Sequence, residues 1–194
     1  MFVNRQLTKS ASAKDVRGFS LLEVMVAVLI VSIGLLGVSK MQAAALSNTQ
    51  IARTRALIAL QASSLAAAMH GNNAYWGAIT APVSVTVAGT TVTDATGVLS
   101  AEADCVAAVC AKEALAAYDL QHWASAMNDR FPSYNATLNC AATTVNTPSS
   151  CAIVITWAEK YIAINRSTTA AAGAVQEIAA DADGAPQFSL IVEP

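Results

Sequence analysis

The 194-residue chain has no proline before Pro82, no cysteine before Cys105, only two histidines and a charged fraction of 12%. Each shortage excludes something. Proline removes a helical hydrogen bond and clashes with the preceding turn, so its absence over residues 19–70 permits one uninterrupted helix. His70 falls at the expected end of that helix and His122 beside Trp123, and no Gly-x-Ser-x-Gly, phosphate-loop or His-Glu-x-x-His pattern accompanies them. Catalysis therefore finds little support, and no catalytic residue, cofactor or metal is expected. Positive charge is scarce outside the first 18 residues, which hold Arg5, Lys9, Lys14 and Arg17 against Asp15. The remainder carries seven basic and twelve acidic residues, a net charge of −5, so direct nucleic-acid binding is not expected.

What is present begins at Gly18-Phe19-Ser20-Leu21-Leu22-Glu23, where the basic leader meets an apolar run over residues 24–38. Glu23 interrupts an otherwise clean membrane segment. A carboxylate at the middle of a spanning helix costs about 2.5–3.5 kcal/mol, so a partner and a purpose are expected for it. The plainer alternative is a side chain that snorkels to the headgroups. The leader's positive charge holds it on the cytoplasmic side.

This hexapeptide with its following apolar helix resembles the class III signal peptide of the type IV pilin superfamily. Within that superfamily, Ser32-Ile33-Gly34-Leu35-Leu36-Gly37, with Tyr118-Asp119-Leu120 and Trp123, resembles the PilV-type minor pilins. The first match covers about the first 45 residues, and the second is looser. The resemblance implies cleavage after Gly18 by a prepilin peptidase and N-methylation of Phe19. It also implies an assembly contact between Glu23 and the terminal amine of a neighbouring subunit. Phe19 and Glu23 lie about 6 Å apart along a helix, so a subunit shifted by that distance brings its amine level with the carboxylate. Major pilins usually kink this helix at a proline; here Gly34 and Gly37 are the soft points. The implied partners are other minor pilins, the major pilin, the inner-membrane assembly platform and inner-membrane lipid. The implied role is pilus assembly or initiation, with twitching motility and adhesion downstream, and a place in the pilus near its tip.

Three competing readings exist. A secretory signal cut after Ala45 is disfavoured by Glu23, by the long charged leader and by apolar periodicity that continues past Ala45. A type II secretion minor pseudopilin would share every N-terminal feature. A membrane-anchored periplasmic binding module would require a ligand pocket with a perturbed acid or base.

The spacing of Ile51, Ile58, Ala62, Leu65 and Met69 defines one face of a helix. Some 50 helical residues span roughly 75 Å, the first half apolar and the second amphipathic. Gly71-Asn72-Asn73 supplies a stop. Alternation in 83–87, Gly89 and a return over 91–93 predict a β-hairpin. Residues 112–130 predict a second helix with Ala116, Leu120, Trp123 and Met127 on one face and Pro132 beyond its end. Residues 135–140 and 152–157 read as strands, with 161–164 and 188–192 as partners for the latter. The low-complexity stretch 168–174 reads as a loop, and no internal repeat is evident. The fold class is α+β: a long N-terminal α-helix packed on a small, mostly antiparallel sheet, with a second short helix. The chain divides into leader 1–18, transmembrane helix 19–38, amphipathic continuation 39–71 and periplasmic domain 72–194.

Cys105, Cys110, Cys140 and Cys151 lie beyond the membrane run, where export favours oxidation. Of three connectivities, the local pairs Cys105–Cys110 and Cys140–Cys151 are preferred. Cys105–Cys110 requires the helix to start after Cys105, since residues five apart in a helix exceed the bridging distance of about 7 Å. The spacings lack the short pairs of zinc ribbons. Asp181-Ala182-Asp183-Gly184 resembles part of a calcium loop but reads as a turn. Asn135-Ala136-Thr137 and Asn165-Arg166-Ser167 match glycosylation acceptors of the kind that arise by chance. Trp76, Trp123 and Trp157 are assigned to the core.

Overall fold

A computed structural model describes residues 18–144, 147–162, 175–182 and 184–194. The chain divides into two compact units, one ending at Met41 and one spanning Gln42–Pro194. Residues 1–17, 145–146, 163–174 (with the Asn165 acceptor and the 168–174 loop) and Asp183 lie outside the described residues.

Helix α1 runs Leu21–Gly71 without a break. Its second half buries Ile58, Ala62, Leu65, Ala66 and Met69, the 3.6-residue stripe legible in the sequence, and Ile51 is half-buried at its start. The expected stop occurs, but not through a left-handed glycine, because Gly71 has no positive φ. Asn72 ends the helix instead. Its side chain is buried and donates from Nδ2 to the carbonyl of Lys112 at 2.7 Å. Its own carbonyl accepts the N–H groups of Tyr75 and Trp76 and starts the short helix α2, Asn73–Trp76. That extra turn delivers Trp76 into the core at 1% exposure.

Strands β1 (Val83–Ala88) and β2 (Thr91–Asp94) form the expected hairpin. Gly89 sits at its turn with φ 59°, a value that favours glycine at the first position of such a turn. Helix α3 runs Lys112–Arg130 and buries Ala116, Leu120, Trp123 and Met127, the face read from the sequence. Strands β3 (Tyr134–Ala141), β4 (Ser150–Trp157) and β7 (Gln187–Val192) complete an antiparallel sheet of order β2-β1-β3-β4-β7. Strand β5 (Glu159–Ile162) corrects an expectation: Tyr161 and Ile162 do not pair with β4. Both edges of β4 are occupied by β3 and β7, so β5 pairs with β6 (Val175–Ile178) in a separate two-stranded sheet.

One apolar cluster joins the second half of α1, α3 and the inner sheet face, including Val85, Leu138, Ile153 and Ile155. Trp76, Trp123 and Trp157 are buried in it. Polar side chains tie the layers at their margins. Trp123 Nε1 donates to the carbonyl of Gln61 at 2.9 Å, linking α3 to α1. The Tyr134 hydroxyl lies 2.8 Å from the carbonyl of Gly89 and 3.2 Å from that of Ala124, and burial pushes its pKa up. Arg55 forms a two-pronged pair with Glu159, whose Oε2 also accepts from Trp157 Nε1.

Cys105 and Cys110 are bonded with Cα atoms 5.4 Å apart, in the loop ahead of α3. Cys140 and Cys151 are bonded across β3 and β4 with Cα atoms 3.9 Å apart. The N–H of Ala158 donates to Ser133 O and that of Trp157 to Pro186 O. This parity makes Cys140–Cys151 a pair without mutual ladder bonds, the closer of the two antiparallel pair types. Replacing both Cys140 and Cys151 by serine should lower unfolding free energy by about 2–3 kcal/mol on the loop-entropy model, measured by denaturant titration against the oxidised parent.

Asp94 closes the hairpin's far end. Burial pushes its carboxyl pKa up, but the Thr96 hydroxyl and the N–H groups of Leu99 and Thr96 outweigh this and hold it below the usual carboxylate range. A depressed carboxyl contributes stability that is complete above the unfolded pKa and lost as pH falls through the folded one. Loop 94–99 should therefore loosen in acid, as pH falls below the ordinary carboxylate range and through the depressed pKa of Asp94. Asp94→Asn should remove that pH dependence in an acid titration followed by amide exchange at Leu99.

Candidate functional site

Gly18, Phe19 and Ser20 precede α1, and the carbonyl of Ser20 accepts the N–H groups of Glu23 and Val24 at 3.0 and 3.3 Å. Glu23 therefore stands in the first turn, where the helix dipole favours a carboxylate. Among the described residues it has no salt-bridge partner.

The helix that follows is apolar on every side. Its large hydrophobic side chains through Val38 are all exposed, from Val26 at 48% to Leu21 at 78%, with Phe19 just ahead at 84%. A stripe packed on a domain would alternate between buried and exposed; an all-round apolar helix belongs in lipid or in a bundle of other helices. Its hydroxyls are already satisfied: Ser32 donates to Val28 O at 2.7 Å and Ser39 to Leu35 O at 2.9 Å. The Glu23 carboxylate is thus the one charged side chain of α1 ahead of Lys40. The sixteen residues between these two charges span about 24 Å, close to a hydrocarbon layer of about 30 Å. A Cβ added at Gly34 or Gly37 would meet nothing within 4 Å. Among the described residues neither glycine is demanded by packing, so each is free to admit a neighbouring helix.

Gly18, Phe19 and Glu23 are thus gathered at one helix start, while the four cysteines lie in two separate places in the folded unit. His70 lines a groove between α1 and β7, and His122 stacks on Tyr118 with ring centroids 5.9 Å apart. His70 shares its groove with Glu193, and His122 lies near Asp119, whose carboxyl pKa is pushed up by burial; neither pair is joined by a hydrogen bond or ion pair among the described residues. Around Asp181 the backbone turns, with the N–H of Ala182 donating to Ala179 O and that of Ala185 to Ala182 O. No cluster of metal-ligating side chains occurs among the described residues. The groove bounded by Ser63, Ala66, Ala67, His70 and residues 190–193 had no counterpart in the sequence reading. It depends on which strand ends the sheet, and no local pattern encodes that.

No curated protein and no solved structure matches the chain. Residues 13–39 match the prokaryotic N-terminal methylation motif, the leader and helix start of type IV pilins and pseudopilins.

Proposed function

We propose that this chain is a minor pilin of PilV type. It is cut after Gly18 by a prepilin peptidase, methylated on Phe19 and inserted into a type IV pilus through the apolar start of α1. In this reading residues 1–18 are a cleaved leader, 19–38 span the inner membrane before assembly, 39–71 continue the helix, and 72–194 form a periplasmic domain with both disulfides. One observation carries the proposal: a helix start with a single carboxylate, Glu23, inside an exposed, all-round apolar surface matched by the methylation motif. Such a surface leaves lipid only for another apolar environment, and a bundle of identical or related helices provides one. Within that bundle Glu23 takes the amine of a neighbour's Phe19 as its counterion, because an unpaired buried charge costs several kcal/mol. The partners are the major pilin, other minor pilins and the assembly platform, and the chain acts in assembly rather than as an enzyme.

Gly18→Leu tests the processing step. Among the described residues nothing lies within 4 Å of a Cβ added at Gly18, so the substitution should leave the fold intact. It should also leave the protein at precursor size in membranes, and a mature-sized product from this variant would overturn the assignment. A type II secretion pseudopilin shares the same helix start; a deletion strain that keeps pili and loses secretion would select that reading.

A further inference from the structure

We propose that the outer edge of β7, with the small-residue stripe of α1 beside it, receives an extended strand from a different polypeptide. Ladder parity carries the argument. Trp157 donates to Pro186 O, and the β4–β7 register continues without slip from Thr156↔Gln187 to Cys151↔Val192. Phe188, Leu190 and Val192 therefore spend their N–H and C=O groups on β4, and those of Gln187, Ser189 and Ile191 point out of the sheet. Among the described residues, no backbone or side-chain partner meets these outward groups. Ile191 is also 75% exposed. An open edge of this kind is a template for another strand.

The space beside the edge suits such a strand. Ser63, Ala66, Ala67 and His70 of α1 face residues 190–193 across a groove of about 620 Å³. Three of the four helix residues carry at most one heavy atom beyond Cβ, leaving room for inward side chains of a strand placed about 4.8 Å from β7. The opposite edge of the sheet is closed by comparison. On β2 only Val92 presents both backbone groups outward, because Thr91 and Thr93 face β1 and the Asp94 carbonyl accepts from Gly97.

That asymmetry identifies the occupant. Head-to-tail pairing of two copies would set the β7 edge against β2, which offers one free residue. Pairing β7 with β7 would set two domains of the same strong negative charge edge to edge and bring two copies of Glu193 together, a like-charge juxtaposition that disfavours a second copy as the occupant. The occupant is thus a segment of another chain, apolar at alternate positions. Residues 72–194 carry four basic and eleven acidic side chains, and Glu193 lines the groove, so a strand with basic flanks fits best.

The test uses the full chain in detergent micelles and a capped heptapeptide alternating valine and threonine between terminal lysines. Without peptide, the amides of Gln187, Ser189 and Ile191 should exchange rapidly while those of Phe188, Leu190 and Val192 are protected. Saturating peptide should slow the three outward amides roughly tenfold or more, the effect of ladder bonds formed at those sites. Ser189→Pro removes an outward N–H and no bond to β4, so it should weaken binding about tenfold with the sheet retained. A peptide N-methylated at alternate amides should fail against the unaltered protein, which keeps the test valid if Ser189→Pro unfolds. Outward amides that are already protected, no added protection with peptide, or undiminished binding of the N-methylated peptide would each overturn the proposal. None of these readouts depends on Gly18 processing or Glu23 pairing, so the two proposals fail separately.

Discussion

Glu23→Ala should reduce incorporation into filaments more than a hundredfold while leaving the amount of membrane-inserted protein unchanged or raised. Insertion improves because a carboxylate is removed from the apolar segment. Incorporation fails because the neighbour's terminal amine is left buried without its counterion, and breaking one side of a buried pair costs about 3–5 kcal/mol. Glu23→Gln keeps the shape and one acceptor but not the charge, so it should fail nearly as badly. The measurement is the ratio of sheared-filament to membrane-bound protein, by quantitative immunoblot, for parent and variants. Equal ratios would show that the carboxylate has no pairing role. Gly34 and Gly37 sharpen the interpretation, since larger residues there would also block close helix approach yet leave the charge pair untouched.

Trp123→Ala should destabilise the folded unit by about 3–5 kcal/mol. Trp123 is 6% exposed, packs edge-to-face on Tyr134 with centroids 6.0 Å apart, and donates to Gln61 O. Its loss opens a cavity between α3 and α1 and removes a bond joining them. For a protein of this size the melting temperature should fall by roughly 6–20 °C, read by circular dichroism. Trp123→Phe should recover the packing and not the hydrogen bond, giving an intermediate value. A fall of about 2 °C or less for Trp123→Ala would mean that α3 is not anchored through this side chain.

Legibility followed locality. Helix α3 and the β1–β2 hairpin could be read because periodicity, a turn glycine and Pro132 are all local signals. The buried face of α1 was equally plain, since Ile58, Ala62, Leu65 and Met69 repeat at helical spacing. The helix start at Gly18–Glu23 needs only six consecutive residues. Three features were not legible. The extra turn α2 depends on Asn72 meeting the carbonyl of Lys112, forty residues away. The diversion of β5 to β6 depends on β7 having taken the free side of β4. The outward edge of β7 depends on the order of the whole sheet. Each is decided by tertiary competition rather than by the composition of the segment itself.

The intact mass of the protein recovered from the periplasmic side of the inner membrane tests the central claim most directly. The chain should begin at Phe19, heavier by one CH2 because a methyl replaces an amine hydrogen, and lighter by four hydrogens for the two disulfides. A chain beginning at Leu46, or one retaining Met1–Gly18, would contradict it.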